Sequence, residues 1–168
     1  MSFHQISSRL DKAWQQYLEA YADDKQFELL PRANRGSWFC PCVNAFDVER
    51  YKRWLEFFNI HRVYDMGAGD LRLSYYLTDR GYEVIAYETL PDVIGLGTEN
   101  MGPPTFDLRQ RDYYLDFKEL CKKDKDASFA FFGATNRPPF IPKEQLMVEG
   151  YWEKGTRLWI EGQILDQW

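Results

Sequence analysis

The sequence predicts an α/β fold, a doubly wound and mostly parallel sheet with an N-terminal helical cap. Three observations carry that prediction. Asp65-Met66-Gly67-Ala68-Gly69-Asp70 follows the apolar pair Val63-Tyr64 and opens into Leu71–Leu77 at helical spacing, which reads as strand, glycine turn, helix. A second strand pattern, Glu83–Tyr87, follows that helix and ends at another acid, Glu88. Further on, Ala127–Phe132 is continuously apolar apart from Ser128, as a strand buried on both faces should be.

The bulk properties set limits on what this fold does. At 168 residues the chain has the length of one domain, and a single domain over 1–168 is expected, with 1–60 as the helical cap and 61–168 as the core. A domain of this size buries about two-thirds of its unfolded surface. Aromatic residues make up 17% of the chain, so many must lie inside. The net charge of −5 argues against nucleic-acid binding by bulk electrostatics, although it leaves room for a local basic patch. No run is apolar enough to span a membrane. The first residues lack the layout of a signal peptide, and three cysteines do not make a disulfide framework. A cytoplasmic protein is the expectation.

The elements follow in order. Leu10, Ala13, Trp14, Tyr17, Leu18 and Tyr21 recur at helical spacing, giving one amphipathic helix over residues 1 to about 30, with Ser7 and Ser8 as candidate caps. Pro31–Pro41 is a proline-rich loop and Asp47–Phe58 a second helix. Then come a strand over Arg62–Met66, a helix over Leu71–Arg80 stopped by Gly81, the strand Glu83–Tyr87 and a short helix over Pro91–Leu96 with proline at its start. A strand over Thr105–Gln110, a helix over Tyr113–Lys122 and the strand Ala127–Phe132 continue the alternation. The pattern then gives a loop over Gly133–Pro142, a helix over Lys143–Trp152 and a fifth and last strand over Thr156–Ile164.

The chemistry concentrates at the glycine turn. Two glycines let the backbone come close to a ligand, and the helix start behind them leaves N–H groups pointing into the same crevice. An acid about 20 residues beyond such a turn is where nucleotide folds place the ligand of a ribose, and Glu88 stands there. A carboxylate on vicinal hydroxyls makes charge-assisted hydrogen bonds and rejects a 2′-phosphate. The dinucleotide fingerprint G-x-G-x-x-G fails at its last position, which is Arg72. The plain alternative is a doubly wound fold whose turn holds nothing.

Residues 62–164 resemble the class I S-adenosylmethionine-dependent methyltransferases. The resemblance rests on Asp65-x-Gly67-x-Gly69 after the first strand, Glu88 closing the second and Asp112 after the third. It implies S-adenosylmethionine as cofactor. The bend Asp65, Gly67, Ala68 and Gly69 would lie against the methionine part and the adenosine. Glu88, with Thr89 beside it, would take the ribose hydroxyls, and Asp112 with Tyr113 the adenine. It also implies two further strands, the last antiparallel, so a chain ending after five would be shortened at its C-terminus. The sheet edge so exposed would invite pairing with a second copy.

The acceptor side is less regular. Gly133-Ala134-Thr135-Asn136-Arg137-Pro138-Pro139-Phe140 is similar to the Asn/Asp-Pro-Pro-Tyr/Phe motif of amino-methylating enzymes, in which the amide or acid accepts from the target amine and the aromatic stacks on its ring. Arg137 stands where that acceptor belongs, and arginine accepts no hydrogen bond. Asn136, Arg137 and Phe140 are therefore the candidate catalytic residues, against a plain reading as a proline-stiffened loop. Trp38 and Phe39 are candidates to stack on an acceptor or cover the sulfonium, against simple core packing. Cys40-Pro41-Cys42 is too tightly spaced for a structural zinc pair, and Cys121, His4 and His61 stand alone, so no metal is expected. His61 precedes the first strand at the end away from the crevice, while an acid at the place of Glu161, near the carboxyl end of the last strand, could face it.

The function expected is methyl transfer from S-adenosylmethionine to an unidentified small-molecule or protein acceptor. Such a reaction needs alignment more than acid–base groups, which agrees with the lack of a triad. One alternative is a non-catalytic binding or assembly module that keeps the fold. Another is a nucleic-acid amino methyltransferase, which the acidic charge and Arg137 disfavour.

Overall fold

The computed structural model describes residues 45–132, 137–151 and 155–168. The predicted helix over 1–30, the loop Pro31–Pro41, and Trp38, Phe39, Cys40, Cys42, Asn136 and Trp152 lie outside these residues.

Helix α1 (Ala45–Phe57) leads into strand β1 (Arg62–Met66), followed by α2 (Arg72–Asp79), β2 (Glu83–Tyr87), α3 (Pro91–Met101) and β3 (Asp107–Arg109). A 3-10 turn over Tyr113–Leu115 precedes α4 (Phe117–Lys123) and β4 (Ala127–Phe132). Three strands close the chain: β5 (Met147–Tyr151), β6 (Gly155–Ile160) and β7 (Gln163–Gln167). They form one seven-stranded sheet of order β3-β2-β1-β4-β5-β6-β7. Strands β1–β5 run parallel to one another, β6 runs antiparallel to β5, and β7 runs antiparallel to β6. The doubly wound, mostly parallel fold class holds.

The C-terminal expectation is corrected. Among the described residues the sheet has seven strands in place of the expected five, and 143–151, within the expected helix Lys143–Trp152, form no helix. The second half of that span is β5, buried between β4 and β6. The expected strand Thr156–Ile164 is instead a hairpin that turns at Glu161 (φ 51°) and Gly162 (φ 74°). Two successive positive φ values are what a two-residue type I′ turn requires. Glu161 therefore sits exposed in the turn and not at the crevice.

Strand alternation sorts the core into two layers. Val63, Val84, Ala130 and Val148 face α1 and α2, packing with Tyr51, Trp54, Leu73 and Leu77. Tyr64, Met66, Ile85, Phe129 and Phe131 face the other way, against Tyr113, Phe117 and Cys121. Each such fully buried side chain contributes roughly 1.5–3 kcal/mol of transfer free energy. The last strand is tied to the first described helix. The carboxylate of Asp166 accepts from Arg50 Nε (2.7 Å), Arg50 Nη2 (2.6 Å), Trp54 Nε1 (2.9 Å) and its neighbour Gln167 N (2.9 Å). Trp168 Nε1 donates to Asp47 at 2.8 Å. No helix among the described residues is long and apolar enough to cross a membrane.

Candidate functional site

The bend after β1 is set by backbone geometry. Gly67 and Gly69 have φ of 69° and 60°, in the left-handed region that costs glycine nothing. Ala68 N donates to Tyr87 O at 2.8 Å, which pins the bend to the end of β2. A Cβ placed on Gly69 would meet nothing within 4 Å, so the turn has open space on that side of Gly69. Leu71 also has a positive φ of 68°, a conformation that costs a branched residue on the order of 1–3 kcal/mol. Its side chain is fully buried against the cluster of Tyr75 and Ala86, which holds the strain in place.

Glu88 reaches across to this bend. Its Oε1 accepts from Gly69 N at 3.0 Å and its Oε2 from Thr89 N at 2.8 Å. A carboxylate has about four lone-pair directions. Each Glu88 oxygen thus keeps one acceptor position beyond its backbone bond, and the side chain lines a cleft. Gly67, Thr89, Asp112, Tyr113 and Tyr114 line the same cleft of about 170 Å³. It sits at the carboxyl ends of β1, β2 and β3, beside the point where strand order reverses, which is where open α/β sheets take ligands. Sites that engulf a whole ligand run to roughly 300–1,000 Å³. This cleft has room for one end of an elongated ligand.

Asp65 is placed differently from its expected role. It is buried beneath the bend, 2% exposed, and accepts from Ser74 Oγ at 2.6 Å. Burial pushes its carboxyl up to about 7, and the negative charges of Glu88 and Asp70 push the same way, while the bonds from Ser74 oppose them. Asp65 shapes the floor and does not line the cleft.

The far wall comes from the turn after β3. Asp112 is exposed, and its Oδ1 caps the turn by accepting from Tyr114 N at 3.0 Å. Tyr113 is buried and stacks on Tyr114 with ring centroids 4.7 Å apart. Burial raises the Tyr113 hydroxyl well above its ordinary value, so it remains a neutral donor. That hydroxyl donates to Arg137 O at 3.0 Å and accepts from Arg137 N at 3.2 Å, and Tyr114 donates to the same carbonyl at 3.2 Å. The loop after β4 is therefore fastened to the cleft wall through its backbone. Arg111 closes the outer rim in a two-pronged pair with Asp116 (3.0 and 3.1 Å), whose carboxyl is held below its usual range by that bond and by Tyr87.

Gly67, Glu88, Thr89, Asp112 and Tyr113 line one cleft, and Ala68 and Gly69 complete the bend beside them. Phe140 does not join them: it packs on Phe117 at 4.9 Å and lines a separate hollow. Sequence reasoning misses Arg111, Tyr87 and Tyr114 as lining residues and Ser74 as the partner of Asp65. Adjacency to Asp112 is a usable signal for Arg111 and Tyr114. No spacing rule singles out Ser74.

No family model matches the chain, and no curated protein matches it in sequence. Solved structures do match in shape. A provisionally assigned protein-L-isoaspartate O-methyltransferase from Plasmodium falciparum, in complex with S-adenosyl-L-homocysteine, aligns over 94% of this chain and 93% of its own at 12% identity and a TM-score of 0.51. A methyltransferase dependent on S-adenosylmethionine from Archaeoglobus fulgidus aligns over 60% of this chain at 19% identity and a TM-score of 0.42. The chain spans 49% of the archaeal protein's length. At 12% identity the likeness to the Plasmodium protein is one of fold alone, the class I methyltransferase fold.

Proposed function

We propose that this chain, having the class I methyltransferase fold, binds S-adenosylmethionine in the Glu88 cleft and transfers its methyl group to an acceptor. One observation carries the reading. Both Glu88 oxygens are fixed by backbone N–H groups, yet each keeps a second acceptor position beside the glycine bend, where Gly69 faces open space. A pair of oxygens oriented in this way suits the two vicinal hydroxyls of a ribose, and each charge-assisted bond contributes roughly 1.5–3 kcal/mol.

The residues fit the cofactor as follows. Glu88 takes the ribose. Gly67 and Gly69 let the methionine part approach the backbone, and Tyr113 and Asp112 stand where the adenine belongs. The cofactor supplies a methyl group already activated on a sulfonium. The chain's task is to hold it, orient it and keep water away. Asp65 supports the bend from below, and the Arg137 backbone, clasped by two tyrosines, sets the entrance on the acceptor side. Trp38, Phe39 and Asn136 remain candidates for that side from sequence alone.

Native mass spectrometry with added S-adenosylmethionine or S-adenosylhomocysteine tests the proposal. The expected spectrum shows one ligand per chain for either compound. A chain that takes up neither is a non-catalytic module with a borrowed fold. Incorporation of labelled methyl into DNA or RNA would point instead to a nucleic-acid acceptor.

A further inference from the structure

We propose that the hollow between α4 and residues 140–145 is a second binding site, for a small amphipathic anion with a hydrocarbon body and one carboxylate.

The hollow follows from the topology. β4 and β5 are parallel neighbours, and such a pair is normally joined through a helix that covers the sheet. Here the described part of the crossover, residues 137–146, contains no helix. An irregular strip lies where a helix would fill the space, and a hollow of about 450 Å³ remains beside α4. That volume falls within the roughly 300–1,000 Å³ typical of small-molecule sites.

Its lining selects the ligand. Cys121, Phe140 and Pro142 make an apolar floor. Phe140 stays 41% exposed even though it packs on Phe117. Burial pushes the Cys121 thiol up to about 11, so the floor carries no anion of its own. The rim is cationic, with Lys118, Lys122, Lys125 and Lys143 all exposed. The one acid in the lining, Glu144, is already held by Lys125 at 2.7 Å. Lys122 pairs loosely with Glu119 at 3.8 Å, whereas Lys118 and Lys143 form no ion pair among the described residues. A concentration of positive charge around an apolar pit, in a chain of net charge −5, complements an anion with a greasy tail. Lysine reaches such a headgroup as a mobile point charge while its stem lies along the apolar surface. This site shares no lining residue with the Glu88 cleft.

Calorimetric titration of the full chain with decanoate, and in parallel with decyltrimethylammonium, tests the inference. The expected result is one saturable site for decanoate and none for the cation. The paired change Lys118→Glu with Lys143→Glu weakens decanoate at least tenfold, and Glu88→Ala leaves it unchanged. Both lysines are exposed, so circular dichroism should show the paired variant folded. A Phe140→Trp reporter gives a second readout, its emission moving to the blue when decanoate enters. Absence of saturable decanoate binding, equal binding of the cation, indifference to the lysine changes, or loss in Glu88→Ala would each overturn the proposal. The last outcome would place the ligand in the Glu88 cleft.

Discussion

Two carboxylates show two regions of this molecule using hydrogen-bonding capacity in opposite ways. Asp166, on β7, accepts four hydrogen bonds, from Arg50 twice, Trp54 and Gln167. Glu88, past the end of β2, accepts two, both from backbone N–H groups. The first has every acceptor position filled by the protein and clamps the C-terminal strands to α1. The second has positions to spare and stands next to the glycine bend. Saturation of hydrogen-bonding capacity, more than charge or burial, separates these two acids, and it is the unsaturated one that the proposed function uses.

Four expectations sharpen or break that contrast. The largest effect belongs to Asp166→Ala. It removes the carboxylate from a buried guanidinium and an indole N–H, and urea unfolding should show a loss of about 3–5 kcal/mol. Ligand binding by the surviving folded fraction should be unchanged.

The next concerns pH. Asp65 titrates near about 7 in the folded chain, against about 3.9 for an unperturbed aspartate. The folded state holds that proton over a range in which the unfolded state has lost it. Its contribution is therefore fully present below about pH 4 and declines as pH rises toward 7, on the order of 4 kcal/mol across the window. Asp65→Asn keeps an acceptor for Ser74 and should flatten this part of the pH–stability curve. A wild-type curve that rises steadily between pH 4 and 7 by the same amount would contradict it.

Two glycines give a matched pair of smaller effects. A Cβ on Gly97 would lie 2.1 Å from Asp70 O, pushing α3 off the bend, and one on Gly155 would lie 2.4 Å from Trp168 O. Each alanine variant should lose about 1–3 kcal/mol by overpacking. Only Gly97→Ala should also weaken the ligand, because only it displaces the bend. The smallest stability effect is that of Glu88→Ala, under about 1 kcal/mol in thermal unfolding, since the side chain is half-buried and its partners are backbone groups that water can reach.

The same division governs what the sequence makes legible. β1, β2 and β4 can be read to the residue, because buried parallel strands are short apolar runs bounded by turn residues. The bend and Glu88 can be read because two positive-φ glycines and an acid one strand later form a local pattern that needs no tertiary contact to be seen. The C-terminal half misleads for physical reasons. Leu146, Met147 and Tyr151 satisfy a helical spacing as well as a strand, and a short apolar run does not distinguish the two. The type I′ turn uses Glu161-Gly162 in place of the more usual Asn-Gly or Asp-Gly, so one hairpin resembles one strand. Asp65 is recognisable as part of the turn, but its burial under Ser74 depends on how α2 settles on β1, which no local pattern encodes.

The central claim is that Glu88 is an unsaturated carboxylate reserved for an adenosyl ribose. Titration of S-adenosylhomocysteine into the wild-type chain and into Glu88→Ala, followed by calorimetry, addresses it most directly. The predicted result is one site in the wild type and an affinity at least tenfold weaker in the variant, with both proteins equally folded. Equal affinity in the two, or no heat of binding in a folded wild type, would contradict it.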